Sequence, residues 1–202
     1  MCSNPRLPSP PEAASMDTHK IIVKFFVEDA SRIRGEQFVP IFHSWIQQKA
    51  IPEHLLIDVA DYQHVVGGPG TVLVAHEANF SMDREEGRLG LMYTRKQPAS
   101  GEFFDRLKQA FRACLQGCAR LEADTQLRFK TNECVVRLND RLLAPNNSET
   151  YSAVEPHLRR LVDQLWPNAD THLEHRPHPQ RLFEMQIKSS ASGSVSNLLS
   201  RL

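Results

Sequence analysis

The chain has 202 residues, with 24 Lys and Arg against 24 Asp and Glu, and 41% of its residues are hydrophobic. That length buries a sizeable core without disulfide or metal staples, and a composition so near the globular average excludes both a wholly disordered chain and a membrane bundle. Balanced charge supplies no global field for drawing in a polyanion, so nucleic acid is not an expected partner.

Cys2, Cys114, Cys118 and Cys134 lack the paired CxxC spacing of thiolate zinc or redox sites, which points to a reducing, cytoplasmic setting. The opening MCSNPRLPSPPEAAS is proline-rich without the apolar stretch of an export signal, and no run of about 18 apolar residues follows, so neither export nor membrane spanning is expected. Residues 1–18 read as a disordered extension, with Met16 a second candidate start, residues 19–188 as a single domain, and residues 189–202 as a flexible Ser-rich tail.

Within the domain, Ile21 to Val27 is a β-rich run, and Glu36 to Ala50 carries Phe38, Ile41, Phe42, Trp45 and Ile46 at helical spacing. Leu55 to Ala60 is nearly continuous in apolar residues, which predicts a strand buried on both faces and parallel to the first through the intervening helix. Thr71 to Phe80 and Arg88 to Arg95 read as a hairpin around SMDREEG. Glu102 to Leu121 places Phe104, Leu107, Phe111, Cys114, Cys118 and Leu121 on one helical stripe, with Ser100 as a suitable N-cap.

Leu127 to Lys130 and Cys134 to Leu138 flank Thr131-Asn132-Glu133 as a second hairpin. A third helix is expected from Ser152, where a capping box with Glu155 leaves Pro156 in the first turn. Its apolar stripe runs from Leu158 to Trp166, before strands at Thr171 to His175 and Leu182 to Ile187. The fold class is α+β, a mostly antiparallel sheet with about three packed helices in the order βαβββαββαββ.

The densest polar and glycine cluster is LLIDVADYQHVVGGPGTVLVAHEANFSMD. Asp58 interrupts an apolar run, and a carboxylate there either faces a cleft or accepts backbone N–H groups. Asp61, Tyr62 and His64 follow at the strand end, and on the next strand His76 and Glu77 point to opposite faces. Asp58, His64 and His76, with Glu77 as a further candidate, are residue types suited to acid–base chemistry or a divalent metal, while Asp61 and Tyr62 are candidate ligand-binding residues. Each has a plainer reading as a satisfied polar position. The GGPG run leads into a strand rather than a helix N-terminus, so a hairpin turn fits it better than a phosphate cradle. Cys114 and Cys118 lie on the apolar stripe as small hydrophobes. Asn139 and Asp140, in RLNDRLLAPNNSET, are candidate binding residues whose alternative is turn stabilisation.

This polar run, with GRLGLMYTRK and RLNDRLLAPN, resembles a family of small uncharacterised bacterial proteins over most of Lys20 to Lys188. The resemblance implies a bacterial, cytoplasmic origin and brings no activity, cofactor or catalytic residue with it. The leading expectation is a non-catalytic binding or accessory protein that uses the sheet-edge cleft between Asp58 and Glu77, with Leu198, Leu199 and Leu202 of the tail ordering against a protein partner. The alternatives are a small metal-assisted hydrolase around Asp58, His64 and His76, and a structural subunit of a larger assembly. No cofactor is expected.

Overall fold

The computed structural model describes residues 17–202 apart from residue 32, so residues 1–16 of the expected extension, with both candidate start methionines and Cys2, lie outside the described residues, while Thr18, its last residue, is buried. Eight strands form one sheet: β1 (Ile21–Val27), β2 (Leu56–Asp61), β3 (Thr71–Ala75), β4 (Ala78–Asp83), β5 (Gly90–Arg95), β6 (Phe129–Leu138), β7 (Thr171–His175) and β8 (Phe183–Ser189). The helices are α1 (Phe38–Gln48), α2 (Phe103–Asp124), α3 (Ser148–Leu165) and the short α4 (Val195–Leu199). The spatial strand order is β2-β3-β4-β5-β1-β6-β8-β7, and each neighbouring pair is antiparallel. The expected α+β class with a largely antiparallel sheet is what forms.

Alternation along the strands divides the sheet into two unlike faces. Ile21, Val23, Phe25 and Val27 of β1, Leu91 and Tyr93 of β5, and Cys134, Val136 and Leu138 of β6 join one core with the buried faces of the helices. α2 lies over β1 and β5, α1 over β2 and β3, and α4 against α2 and β6. Phe111 of α2 meets Phe25 of β1 edge-on at 6.1 Å between ring centroids, so the longest helix is pinned to the central strand by an aromatic contact. Cys114, Cys118 and Cys134 are buried, and burial pushes the Cys118 and Cys134 thiols well above their usual range, as suits small hydrophobes.

Several local expectations are corrected. β2 does not lie parallel to β1; among the described residues it sits at the far edge and pairs only with β3. Its apolar run is buried only at Leu56, while Ile57 and Asp58 are exposed, the pattern of an edge rather than a centre. The stretch Thr71–Phe80 breaks at His76-Glu77 into β3 and β4, so these two residues occupy a tight turn. The second hairpin is absent, because residues 129–138 run straight through as β6 and pair on both flanks.

The N-cap of α2 is Glu102, in a reciprocal box with Asp105, in place of Ser100. α3 begins at Ser148, because Asn147 accepts the Thr150 N–H as N-cap, and the helix continues through Pro156. The proline's missing N–H removes the helical partner of the Ser152 carbonyl, and Ser152 is exposed, so that carbonyl is not sealed from solvent. The segment after Lys188, expected as a flexible tail, extends β8 by one residue and then folds back: Gly193 exchanges two hydrogen bonds with Thr131 Oγ1, and Val195 and Leu198 of α4 are buried.

Candidate functional site

Five of the seven exposed large hydrophobic side chains among the described residues fall within residues 55–66: Leu55 at 65%, Ile57 at 54%, Tyr62 and Val65 at 44% and Val66 at 103%. Ile57 lies in β2 and Leu55 just before it, while Tyr62, Val65 and Val66 belong to the loop that follows; among the described residues β2 is an edge strand paired on one side. The ladder with β3 slips between Leu56 and Asp58, so Ile57 is the extra residue of a bulge. The opposite edge is unlike this one, since β7 buries its only aliphatic side chain, Leu173, and presents Thr, His and Glu.

The polar residues singled out in the sequence serve this edge as fasteners. Asp58 Oδ1 accepts the Val59 N–H at 2.8 Å, and Asp61 Oδ1 accepts that of Gln63 at 3.0 Å. Glu77 Oε2 accepts the Leu55 N–H at 3.0 Å, and the Leu55 carbonyl accepts the His76 N–H at 2.9 Å, which clamps the start of β2 to the β3–β4 turn. Burial alone would raise the Glu77 carboxyl, yet the N–H groups of Leu55 and of Glu77 itself, with the His54 and His76 imidazoles, hold it below the usual carboxylate range. His76 Nδ1 is 3.5 Å from Glu77 Oε1, while His64 stands exposed on the loop.

Among the described residues no hydrogen bond or ion pair joins Asp58, His64 and His76, and no three His, Cys, Asp or Glu side chains are grouped to hold a metal ion. Tyr62 is tied through its backbone, its N–H to Gly70 and its carbonyl to Val65, which closes the loop and leaves the ring on the surface. Asn139 and Asp140 belong to another part of the molecule, just after β6, with four strands between β6 and β2. Asn139 donates its N–H to the Lys20 carbonyl, and Asp140 Oδ1 accepts the N–H groups of Leu142 and Leu143 as a turn brace.

Sequence reasoning passed over His54. It is 8% exposed just before β2, with Nε2 3.2 Å from Tyr93 Oη, and it packs edge-on against the Phe80 and Tyr93 rings. Burial lowers its pKa, with Arg95 adding to that effect and the Glu77 and Glu53 carboxylates opposing it. No local spacing signals this position, because Tyr93 is 39 residues away along the chain.

The helix-free face of the sheet carries a second polar surface. Lys24 Nζ meets Asp83 Oδ2 at 2.5 Å, with both side chains about 5% exposed or less. The two residues belong to strands on either side of β5, and Gly90 permits the approach: a Cβ there would lie 2.9 Å from Lys24 Cε and 2.4 Å from the Phe25 carbonyl oxygen. Arg88 stacks over the Phe26 ring at 3.5 Å and bonds Glu133 at 2.7 Å, while Arg137 pairs with Glu184 and Glu85. Burial would raise Glu133, but Arg88 and Gln186 hold it below the usual range. These charges cancel one another across the groove, so this surface is bonded within itself, whereas the β2 edge is open.

The class defined by these features is an α+β protein with one antiparallel sheet, helices packed on it and, among the described residues, an apolar edge with no strand beyond it. No protein-family model, curated protein or solved structure matches the chain. Among the described residues no helix is long and apolar enough to cross a membrane.

Proposed function

We propose that this is a non-catalytic binding or accessory protein whose β2 edge takes up an extended segment of a protein partner as an added strand. The supporting observation is the concentration of exposed Leu55 and Ile57 at the start of the edge strand β2 with Tyr62, Val65 and Val66 on the loop directly after it. An edge strand presents unpaired backbone N–H and C=O groups, and apolar side chains beside them supply burial when a strand is added.

Charge selects the occupant. Residues 53–66 contain Glu53, Asp58 and Asp61, all exposed, and no Lys or Arg. Pairing with a second copy would set these carboxylates against their own counterparts, and like charges across a strand pair are destabilising. A segment alternating apolar with basic residues meets both the hydrophobic and the acidic features. The bulge at Ile57 and the two aspartates also blunt the edge against indiscriminate pairing, so the acids that repel a second copy set the sign of the partner.

Fluorescence anisotropy with two labelled peptides tests this reading, one alternating lysine with valine and the other glutamate with valine. The basic peptide is expected to bind, the acidic one not, and Ile57→Asp should weaken binding on the order of tenfold through lost burial. Equal affinity for both peptides, indifference to Ile57→Asp, or self-association abolished by that substitution would each overturn the proposal.

A further inference from the structure

Behind the loop that follows β2 lies a cavity of about 250 Å3, which shares Tyr62 and Val65 with the apolar edge but not Leu55, Ile57 or Val66, and in it the structure assigns a binding site for a small apolar molecule ending in a carboxylate or similar anion. Phe38 of α1, Met82 of β4 and Leu89 form its apolar wall, and all three are buried. Among the described residues Arg84 is the one charged side chain lining it. The cavities of the helix-free face, of the turn at residues 125–128 and of the start of β2 all include carboxylates in their walls; among the described residues this one has none.

The sign of the ligand follows from that lining. Arg84 donates one N–H to the Ile33 carbonyl at 3.0 Å, which fixes the guanidinium near the loop before α1, and no carboxylate among the described residues pairs with it. Its remaining N–H groups suit a planar anion, and a guanidinium held in place loses less freedom on binding one. The walls select the rest of the molecule, since a site with one cation, a Phe, Met and Leu wall and two neutral polar side chains, Gln63 and Thr71, favours a largely apolar body with a single charged end. A volume just below the usual ~300–1,000 Å3 of ligand pockets limits that body to a small ring or short chain.

The glycine run, which also closes the loop after β2, shapes this cavity. Gly70 adopts φ +70°, and a Cβ there would lie 2.1 Å from the Met82 carbonyl oxygen, so no other residue lets the loop return so closely over β4. Gln63 closes the same side, with its side chain over Gly35 and its Nε2 donating to Thr71 Oγ1 at 3.0 Å.

Calorimetric titration of the full chain with phenylacetate, phenylacetamide and phenethylamine tests the assignment. Phenylacetate should bind more tightly than its neutral and cationic analogues, on the order of tenfold to a hundredfold, the range for one charge-assisted contact. Arg84→Gln, at an exposed position, should bring phenylacetate down to the level of the amide, and Arg84→Lys should restore part of the difference. Equal binding of all three compounds, binding unchanged in Arg84→Gln, or no saturable heat with any of them would overturn it. Because the edge peptides and Ile57→Asp are read separately, failure of this site leaves the strand-edge proposal standing or falling on its own test.

Discussion

His54 shows how a single residue can carry both packing and pH sensitivity. Its imidazole is folded into the Phe80–Tyr93 aromatic group, where burial disfavours the charged form. The unfolded chain therefore binds a proton at this residue before the folded one does, so stability declines as pH falls through about 6.5 and below. His157 and His175 are lowered as well, chiefly by burial, and act in the same direction. Urea unfolding at pH 7.5 and pH 5.5 should show a loss on acidification that is smaller in His54→Phe. That variant keeps the ring contacts, while Tyr93 Oη retains the Arg95 guanidinium at 3.3 Å. An identical pH dependence in the two proteins would remove His54 from this role.

The same scale explains why the candidate residues were only half legible. Asp58, Asp61 and Glu77 could be picked out, because a carboxylate in or beside an apolar run demands a partner. Their partners are backbone N–H groups of Val59, Gln63 and Leu55, and no sequence pattern distinguishes that outcome from a shared cleft. His76 and Glu77 depended on whether a strand continued or turned, and the two-residue turn between β3 and β4 contains none of the Gly, Asn or Pro residues that announce turns.

At the scale of elements, helices were easier to read than strands, since the stripes of α1, α2 and α3 are local and periodic. Their ends were less so: Asn147 and Glu102 act as caps through side-chain bonds that compete with several nearby candidates. The C-terminal segment was misjudged because its five-residue helix has no stability alone, and its order comes from α2 and from Thr131. Arg112 donates to the Leu202 carbonyl at 2.5 Å, and Arg201 to that of Leu165 at 2.5 Å, so the end of the chain is latched at both sides. Truncation after Gly193 should lower Tm by on the order of 5–10 °C, from the lost burial of Val195 and Leu198. An unchanged Tm would mean that the latch contributes nothing in solution.

For the whole molecule, the class and the count of strands were legible, but the order of strands in the sheet was not. One expected strand divides into β3 and β4 and two others fuse into β6, so the sequence pattern yields eight strands through compensating differences. The placement of β2 at an edge is a consequence of pairing with β3 alone, a non-local outcome that its apolar run actively disguised. That placement turns a stretch suited to burial into an uncovered surface. It also separates the acidic, apolar edge from the groove on the helix-free face, where charges are spent on one another.

Hydrogen exchange followed by mass spectrometry, with and without the lysine–valine peptide at saturation, tests the edge most directly. A strand added to β2 protects the amides of residues 55–61 and leaves those of β7, residues 171–175, unchanged. Protection at β7 or on the helix-free face, or none at β2, would contradict it.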